Sequence, residues 1–260
     1  MLITLTTDFG DSEYVGAMKG VIRSIAPDIE IVDITHGVRR HSIRHGAYAL
    51  QAAVPHFPFA VHVAVIDPGV GTERRPLVLA CEGAYLVGPD NGVLLPAARR
   101  LGLKQVRHAT SSTLFRSQIT STFHGRDVFA PLAAHLATGT KLGDVGPELP
   151  AWTDLDWGRA VETPEGLRGQ ILCADRFGNV ITNVGAEAFT RRFPLNARLT
   201  VTAGKASFKA RVSRTYAEGL PGEAVALVGS GGYVEIAVNR ASAEQQFGLR
   251  EAEPCLFRPV

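Results

Sequence analysis

Residues 2–27 carry the sequence LITLTTDFGDSEYVGAMKGVIRSIAP, whose periodicity changes along its length. Residues 2–7 form a short run rich in β-branched side chains, which is typical of a strand. After a polar turn, apolar residues recur at helical spacing until Pro27 ends the pattern: Val15, Met18, Val21 and Ile22. The stretch therefore predicts a strand, a turn and a helix, the unit from which an α/β domain is built.

The same alternation continues through the first half of the chain. Residues 30–34 are strand-like, and residues 42–53 are helix-like with Ser42 as a candidate N-cap. Residues 61–66 are apolar apart from His62, as in a strand buried on both faces, and residues 77–87 indicate a tight hairpin. The last clear helical pattern covers residues 125–137. Together these predict an α/β N-terminal domain with a mainly parallel sheet.

The texture of the sequence changes after about residue 140. An irregular connector rich in Gly and Pro includes Trp152 and Trp157. After Pro164 come short β runs separated by turns: 168–174, 180–184, 197–202, 206–212, 224–228 and 233–238. This pattern predicts a small all-β barrel as the C-terminal domain. We therefore expect two domains, residues 1–163 and residues 164–260.

Composition restricts the classes of partner and compartment. The 260 residues include 27 Lys and Arg and 25 Asp and Glu. The net charge of +2 gives no reason to expect nucleic acid or an anionic membrane as partner. No segment approaches the roughly 20 apolar residues of a membrane span, and the N-terminus lacks a basic region and a cleavage site. We expect a cytoplasmic protein. Three scattered cysteines are expected to be small core residues: Cys81, Cys173 and Cys255.

Polar segments follow several of the predicted strands, where α/β sheets bind ligands. In the first half they are residues 7–11, 67–75, 88–92 and 121–127, and in the β module residues 174–183 and 229–233. Each also has a structural interpretation, because Asp-Pro-Gly and Asp-Asn-Gly are common turns and carboxylates cap helices. Glycine-rich strand corners explain the two β segments equally well. On the residues alone, both interpretations stay open.

Common nucleotide and nucleophile fingerprints are absent from the sequence. It has no P-loop motif and no Gly-x-Ser-x-Gly elbow. Gly69 and Gly71 follow a strand, but the segment after them leads into another strand and not into a helix, which argues against a dinucleotide site.

Six runs of this sequence, taken together, resemble one known family. In order along the chain they are TTDFGDSEYVGAMKG, VIDPGVGTERRP, GPDNG, FHGRDVFAP, DRFGNVITN and VGSGGYVEIAVN. The chain resembles the S-adenosyl-L-methionine hydroxide adenosyltransferases, hydrolytic relatives of the fluorinase and chlorinase. The resemblance implies an α/β domain, a C-terminal β-barrel and a homotrimer with sites between neighbouring subunits. It also implies hydrolysis of S-adenosylmethionine to adenosine and L-methionine without metal or cofactor.

The resemblance assigns a catalytic triad to Asp67, Arg74 and His124. The halogenating relatives lack this triad and carry an extra loop, for which residues 81–84 leave no room. Six residues are implied to bind substrate: Asp8 the ribose hydroxyls, Asp175 and Asp11 the ammonium, Ser230 the carboxylate, Asn179 the adenine edge and Tyr216 a stacking face. The spacing at Asp11 differs from that of the halogenases by one residue.

The chemistry of the reaction suits these groups. Methionine leaves as a neutral thioether, so the demands are a placed water and a group that takes its proton. An Arg beside a carboxylate keeps it ionised, and a His can orient water or pass a proton. The residues leave open whether Asp67 or His124 receives the proton.

Two other functions remain as alternatives. One is a metal-dependent phosphohydrolase with Asp8, Asp11, Asp67 and His124 as ligands, although a cation at Arg74 would oppose a bound metal ion. The other is a non-catalytic protein that binds S-adenosylmethionine or adenosine.

Overall fold

The computed structural model describes residues 1–260 and separates into two units, residues 1–155 and residues 156–260. Unit 1 contains, in chain order, β1 (Leu2–Thr7), α1 (Glu13–Ile25), β2 (Ile31–Thr35), α2 (Ile43–Ala53), β3 (Ala60–Val65), β4 (Pro76–Ala80), β5 (Tyr85–Pro89), α3 (Leu95–Arg100), β6 (Gln105–His108) and α4 (Ala130–Ala137). One wide helical turn, Gly125–Phe129, leads into α4. The strand, turn and helix predicted from residues 2–27 are confirmed.

The sheet of unit 1 is mixed, which corrects the expectation of a mainly parallel sheet. Its order is β2-β1-β3-β5-β4-β6; β1 pairs in parallel with β2 and β3, and β3 in parallel with β5, whereas β4 is antiparallel to both β5 and β6. The cause is the predicted hairpin. The Cys81 N–H donates to the Ala84 carbonyl at 2.9 Å, so the turn reverses the chain at once and only an antiparallel pairing is possible.

Helices cover the sheet of unit 1 with apolar side chains. Met18 and Ile22 of α1 are fully buried, and almost every residue of α4 is buried. Ser42 caps α2 as expected, since its hydroxyl accepts the His45 N–H at 3.1 Å. No helix in the molecule has the length and apolar character needed to cross a bilayer.

Unit 2 is a barrel, as predicted. It contains β7 (Val161–Thr163), β8 (Gly166–Ala174), β9 (Val180–Gly185), α5 (Ala186–Arg192), β10 (Arg198–Ala203), β11 (Ala206–Val212), β12 (Ala224–Val228), β13 (Tyr233–Val238), α6 (Ala243–Phe247) and β14 (Pro254–Pro259). Seven strands close in the order β14-β10-β11-β12-β13-β9-β8, because β8 pairs back onto β14, and β7 adds to β8. The short helices α5 and α6 were not expected from the sequence pattern, which ended its helices at residue 137.

All three cysteines are free and buried, which confirms their interpretation as small core residues. Burial raises the pKa of the Cys81 and Cys255 thiols to about 12, so both stay protonated and unreactive at neutral pH.

His62 makes unit 1 sensitive to acid. It lies fully buried in β3, with Nδ1 2.8 Å from Thr4 Oγ1 on the neighbouring strand β1. Burial lowers the pKa of His62 to about 4, whereas an unfolded His titrates near 6.5. Between these values the unfolded chain binds more protons, so stability is full above about pH 6.5 and falls as the pH drops towards 4.

We expect this residue alone to cost the wild-type protein about 2 kcal/mol of unfolding free energy between about pH 7.5 and about pH 5. Urea unfolding at the two pH values, for wild type and His62→Gln, measures it. Acidic residues contribute equally to both proteins, so the difference between their pH dependences isolates His62. Parallel stability curves for the two proteins would contradict the assignment.

Candidate active site

Unit 1 contains a cavity of about 440 Å³ at the carboxyl ends of two adjacent strands. Asp8 directly follows β1 and Asp67 lies just beyond β3, and both line the cavity. Because β1 and β3 are parallel neighbours, their carboxyl ends bring these carboxylates to one edge of the sheet. The loop before α4 supplies residues 122–125, including His124.

The structure brings Asp67, Arg74 and His124 into direct contact. Arg74 Nε donates to both carboxylate oxygens of Asp67 at 3.0 Å, and Nη2 of the same guanidinium bonds Oδ2 as well. Nη2 also lies 2.8 Å from His124 Nδ1. The side chains of Arg74 and Asp67 are only 10% and 5% exposed, and the guanidinium carbon lies 5.2 Å from the centre of the Phe129 ring. The ion pair is therefore shielded from solvent and held in one geometry.

Arg74 also decides the protonation of His124. A guanidinium only donates hydrogen bonds, so Nδ1 of His124 must accept, and the proton of the neutral ring resides on Nε2. Burial and the Arg74 charge lower the pKa of His124, against smaller opposing effects of Asp67 and Asp127. The ring is consequently neutral at neutral pH and offers an Nε2–H donor. If the ring took up a second proton, Nδ1 would become a donor and His124 would lose the hydrogen bond from Arg74.

Asp127 secures the segment that carries His124. Its carboxylate is fully buried and accepts from Arg116 Nη1 at 2.9 Å, from Arg126 Nε at 2.7 Å, and from the backbone and hydroxyl of Thr120 at 2.9 and 2.7 Å. Although burial would raise it, these bonds hold the pKa of Asp127 well below its usual range. For the polar segment 121–127 the sequence offered only the interpretation that its carboxylate caps a helix, and it did not reveal this clamp.

Gly71 is a second residue whose importance the sequence did not reveal. Its φ of +78° is unfavourable for other residues, and a Cβ there would lie 2.2 Å from the Ser121 carbonyl oxygen. The loop between Asp67 and Arg74 thus packs directly on the backbone of the segment that ends at His124. The glycines of this loop were the signal in the sequence that a close backbone contact occurs here, but they resemble ordinary turn residues.

Asp8 is oriented by the loop before α2. Its Oδ2 accepts the backbone N–H of His41 at 2.8 Å, and His41 adopts a left-handed φ of 65°, which is strained for a non-glycine residue. The N-cap position of α1 is Ser12, so Asp8 does not serve as the helix cap. Asp11 is exposed and does not line the cavity, so the structure does not bring it together with Asp8.

The Asp-Asn-Gly segment has the structural role that its turn pattern indicated. Asp90 is buried and accepts from Arg75 Nε at 2.8 Å and from the Thr153 N–H at 2.7 Å. The Asn91 amide donates to the Ile66 carbonyl at 2.8 Å. These bonds fasten the end of the central strands and leave no acidic group free for chemistry.

Unit 2 has its own cavity, of about 640 Å³, which collects three of the four predicted substrate residues of the barrel. Asp175, Asn179 and Tyr216 line it, together with Arg240 and Ser242. Ser230, the fourth, is exposed on the turn before β13 and is not among the lining residues.

Asp175 is held by its own turn. Oδ1 accepts the N–H groups of Phe177 and Asn179 at 2.8 and 2.9 Å, and Oδ2 accepts the Asn179 side-chain amide at 2.9 Å. Gly178 has a φ of +81°, and a Cβ there would lie 2.0 Å from Ser242 Oγ. The segment is therefore a tight structural turn that also presents a fixed carboxylate to the cavity.

The ligand set of a phosphohydrolase is not assembled. No group of three or more His, Cys, Asp or Glu side chains is arranged to hold a metal ion. Asp8, Asp11, Asp67 and His124 form no such cluster, and both oxygens of Asp67 already bond a guanidinium.

Comparisons with known proteins agree with the motifs. Residues 3–146 match the model of the SAM hydroxide adenosyltransferase N-terminal domain, and residues 169–255 match that of the C-terminal domain. The (R)-S-adenosyl-L-methionine hydrolase of Salinispora tropica is 39% identical over 95% of this chain and 94% of the relative. A fluorinase of Nocardia brasiliensis is 28% identical over 96% of this chain and 94% of its own length.

A solved structure shares the whole fold. The crystal structure of an uncharacterized conserved protein from Thermotoga maritima has a TM-score of 0.91 and 36% sequence identity, and covers 99% of this chain and 100% of that one. Two domain models that together span most of the sequence, and a relative of similar length, confirm the resemblance drawn from the six motifs. The chain belongs to the SAM hydroxide adenosyltransferase family.

Proposed function

We propose that the protein hydrolyses S-adenosyl-L-methionine to adenosine and L-methionine by attack of water on the ribose C5′ carbon. The observation that supports this proposal most strongly is that, in a chain of this family, Asp67, Arg74 and His124 contact one another at the edge of a cavity. A shielded carboxylate next to a neutral imidazole is suited to holding one water and taking its proton.

In this mechanism the proton goes to Asp67. Nδ1 of His124 is occupied by Arg74 and Nε2 already carries hydrogen, so the ring orients the water as a donor. The water oxygen bonds C5′, the C5′–S bond breaks with its electron pair going to sulfur, and the Asp67 carboxylate receives the proton. The sulfonium becomes a neutral thioether, so the leaving group needs no acid.

Arg74 has two roles in the proposal. Its positive charge lies directly against the Asp67 carboxylate, and its planar set of donors fixes the carboxylate and the imidazole at one distance from each other. Because the pair is shielded from bulk solvent, its electrostatic effect on the reacting atoms is larger than in water.

Substrate binding is divided between the units. Asp8 accepts the ribose hydroxyls with its two oxygens, Asp175 pairs the ammonium, and Asn179 and Tyr216 hold the adenine. We propose that Asp11 contacts the ammonium of the amino-acid part and that Ser230 contacts its carboxylate. Both residues are exposed.

We further propose a homotrimer in which each site combines unit 1 of one chain with unit 2 of the next, and a cytoplasmic location. The support for shared sites is that the reacting triad belongs to one unit while the ammonium and adenine ligands belong to the other. One S-adenosylmethionine molecule contains the reacting C5′ carbon as well as the ammonium and the adenine, so a complete site requires both units.

Gly71→Ala tests the packing that aligns the triad. The added methyl must displace the Ser121 backbone, which moves His124 relative to Arg74, so we expect kcat to fall roughly 10²-fold, as misplacements of about 1 Å do. Gly69→Ala is the matched control, since its Cβ would meet neighbours at an ordinary 3.5 Å. Steady-state adenosine formation measures both variants. Equal activity would show that the contact does not align the site.

The proposed function itself is tested by incubating pure protein with S-adenosylmethionine in ¹⁸O-labelled water. We expect adenosine with ¹⁸O in its 5′-hydroxyl and unlabelled methionine, undiminished by a chelator, and much less of both products with Asp67→Asn. Intact substrate after long incubation would support the non-catalytic binding protein, and activity lost to the chelator would support a metal enzyme.

A further inference from the structure

Glu235 is a buried carboxyl group that none of the roles above uses. It lies in β13 of the barrel and is only 6% exposed, with the apolar Leu227 and Ile181 as its neighbours on the adjacent strands. Its Oε2 accepts the Tyr216 hydroxyl at 2.8 Å. Burial and the negative charge of Asp175 raise the pKa of Glu235, and the bond from Tyr216 lowers it. Burying a carboxyl group is costly unless it is hydrogen-bonded, and Tyr216 supplies such a bond.

The other side of the carboxyl group contacts the turn that carries Ser230. A Cβ at Gly229 would lie 1.8 Å from Glu235 Oε1, so only glycine fits there. The turn is closed by the Gly232 N–H, which donates to the Gly229 carbonyl at 3.0 Å. Glu235 therefore touches both the Ser230 turn and Tyr216.

Tyr216 is joined to Glu235 through its hydroxyl group. It begins a single short helical turn, Tyr216–Glu218, and its side chain lines the cavity of unit 2 while the residue is 43% exposed. Burial, Glu235 and Asp175 together raise the pKa of the Tyr216 phenol well above its usual value, so it remains a donor at all physiological pH values. A half-exposed ring on a short turn keeps one orientation when a charged acceptor holds its hydroxyl.

We propose that Glu235 is a positioning residue that holds the Tyr216 ring as a wall of this cavity, and that the pair sets affinity for the nucleoside part of the substrate. The inference rests on the proposed function for the identity of that ligand. Holding the ring in place before binding removes the entropy cost of ordering it afterwards. A carboxylate does this better than a neutral acceptor, because hydrogen bonds to ionised groups are about twice as strong.

The test is a double-mutant cycle with free adenosine as the probe. Calorimetry on Tyr216→Phe, Glu235→Leu and the double variant should show roughly 5- to 20-fold weaker adenosine binding in each, with the double variant no worse than the worse single one. Glu235→Gln, which keeps an acceptor, should lose less than Glu235→Leu. With S-adenosylmethionine, the loss should fall on KM more than on kcat.

Tyr85→Phe, on β5 of unit 1, is the control for losing a tyrosine hydroxyl and should bind adenosine normally. If Glu235→Leu does not fold, the near-isosteric Tyr216→Phe and Glu235→Gln variants complete the cycle. Additive losses, or unchanged adenosine affinity in Tyr216→Phe, would overturn the proposal. Adenosine binding needs no turnover, so a coupled loss in a protein that fails to hydrolyse S-adenosylmethionine would refute the proposed function and leave this pair supported.

Discussion

Asp67→Asn is expected to slow hydrolysis of S-adenosylmethionine by roughly 10²–10⁴-fold, the range typical of a positioned acid–base group. The amide cannot take the proton of the water, and it presents an N–H₂ group to a guanidinium that itself only donates. His124→Ala should be impaired in the same range, because the water loses its donor and Arg74 loses its second partner.

Arg74→Lys should also be slow, although the charge is kept. The ammonium is a point charge and cannot bond both oxygens of Asp67 and the ring of His124 in one plane. Single-turnover adenosine formation measures the chemical step for all three variants. Calorimetry measures S-adenosylmethionine affinity, which should stay within a few-fold because we propose that other residues bind the substrate.

The double variant Asp67→Asn/His124→Ala provides the control. Residues that act on one water are strongly non-additive, so it should be scarcely slower than the worse single variant. Rates near wild type in the single variants, or losses that simply add, would mean that the water is activated by desolvation and placement instead of by the triad.

The second large effect concerns recovery of activity in mixed trimers. Asp175→Asn removes the charge that we propose pairs the ammonium, which should weaken S-adenosylmethionine binding on the order of 1–3 kcal/mol and leave adenosine binding nearly unchanged. Asp67→Asn and Asp175→Asn carry their lesions in different units. If each site combines unit 1 of one chain with unit 2 of the next, every mixed trimer has one site without a lesion.

Chains carrying the two substitutions are co-expressed with different tags and purified by both. At low substrate we expect about a third of wild-type activity, since cyclic symmetry leaves one site of each mixed trimer intact. The matched control pairs Asp67→Asn with His124→Ala, whose lesions share unit 1 and leave no intact site. Activity no higher than that of the parent variants, or a monomer by light scattering, would contradict shared sites.

The sequence alone was sufficient for several features that depend on local order, although it missed the short helices α5 and α6. β1, the turn and α1 follow from the change of periodicity within residues 2–27, and Ser42 caps α2 because capping needs only a neighbouring N–H group. The barrel follows from short β runs with turns between them. The family follows from six motifs whose order and spacing a chain seldom repeats by chance.

The tertiary structure decided whatever depends on groups distant in the chain. The direction of β4 follows from the hairpin that the sequence predicted, but the placement of β6 beside β4 follows from which strands pair, and alternating strand and helix patterns contain no record of this. The Arg74–His124 bond joins residues 50 positions apart, and it places the proton of the neutral His124 ring on Nε2. The contacts of Gly71 with Ser121 and of Tyr216 with Glu235 likewise join residues distant in the chain, whereas the partners of Asp127 lie within residues 116–126. Residue type tells what a side chain is able to bond, but only packing brings its partner within reach, which is why the chemistry was readable from the sequence and its geometry was not.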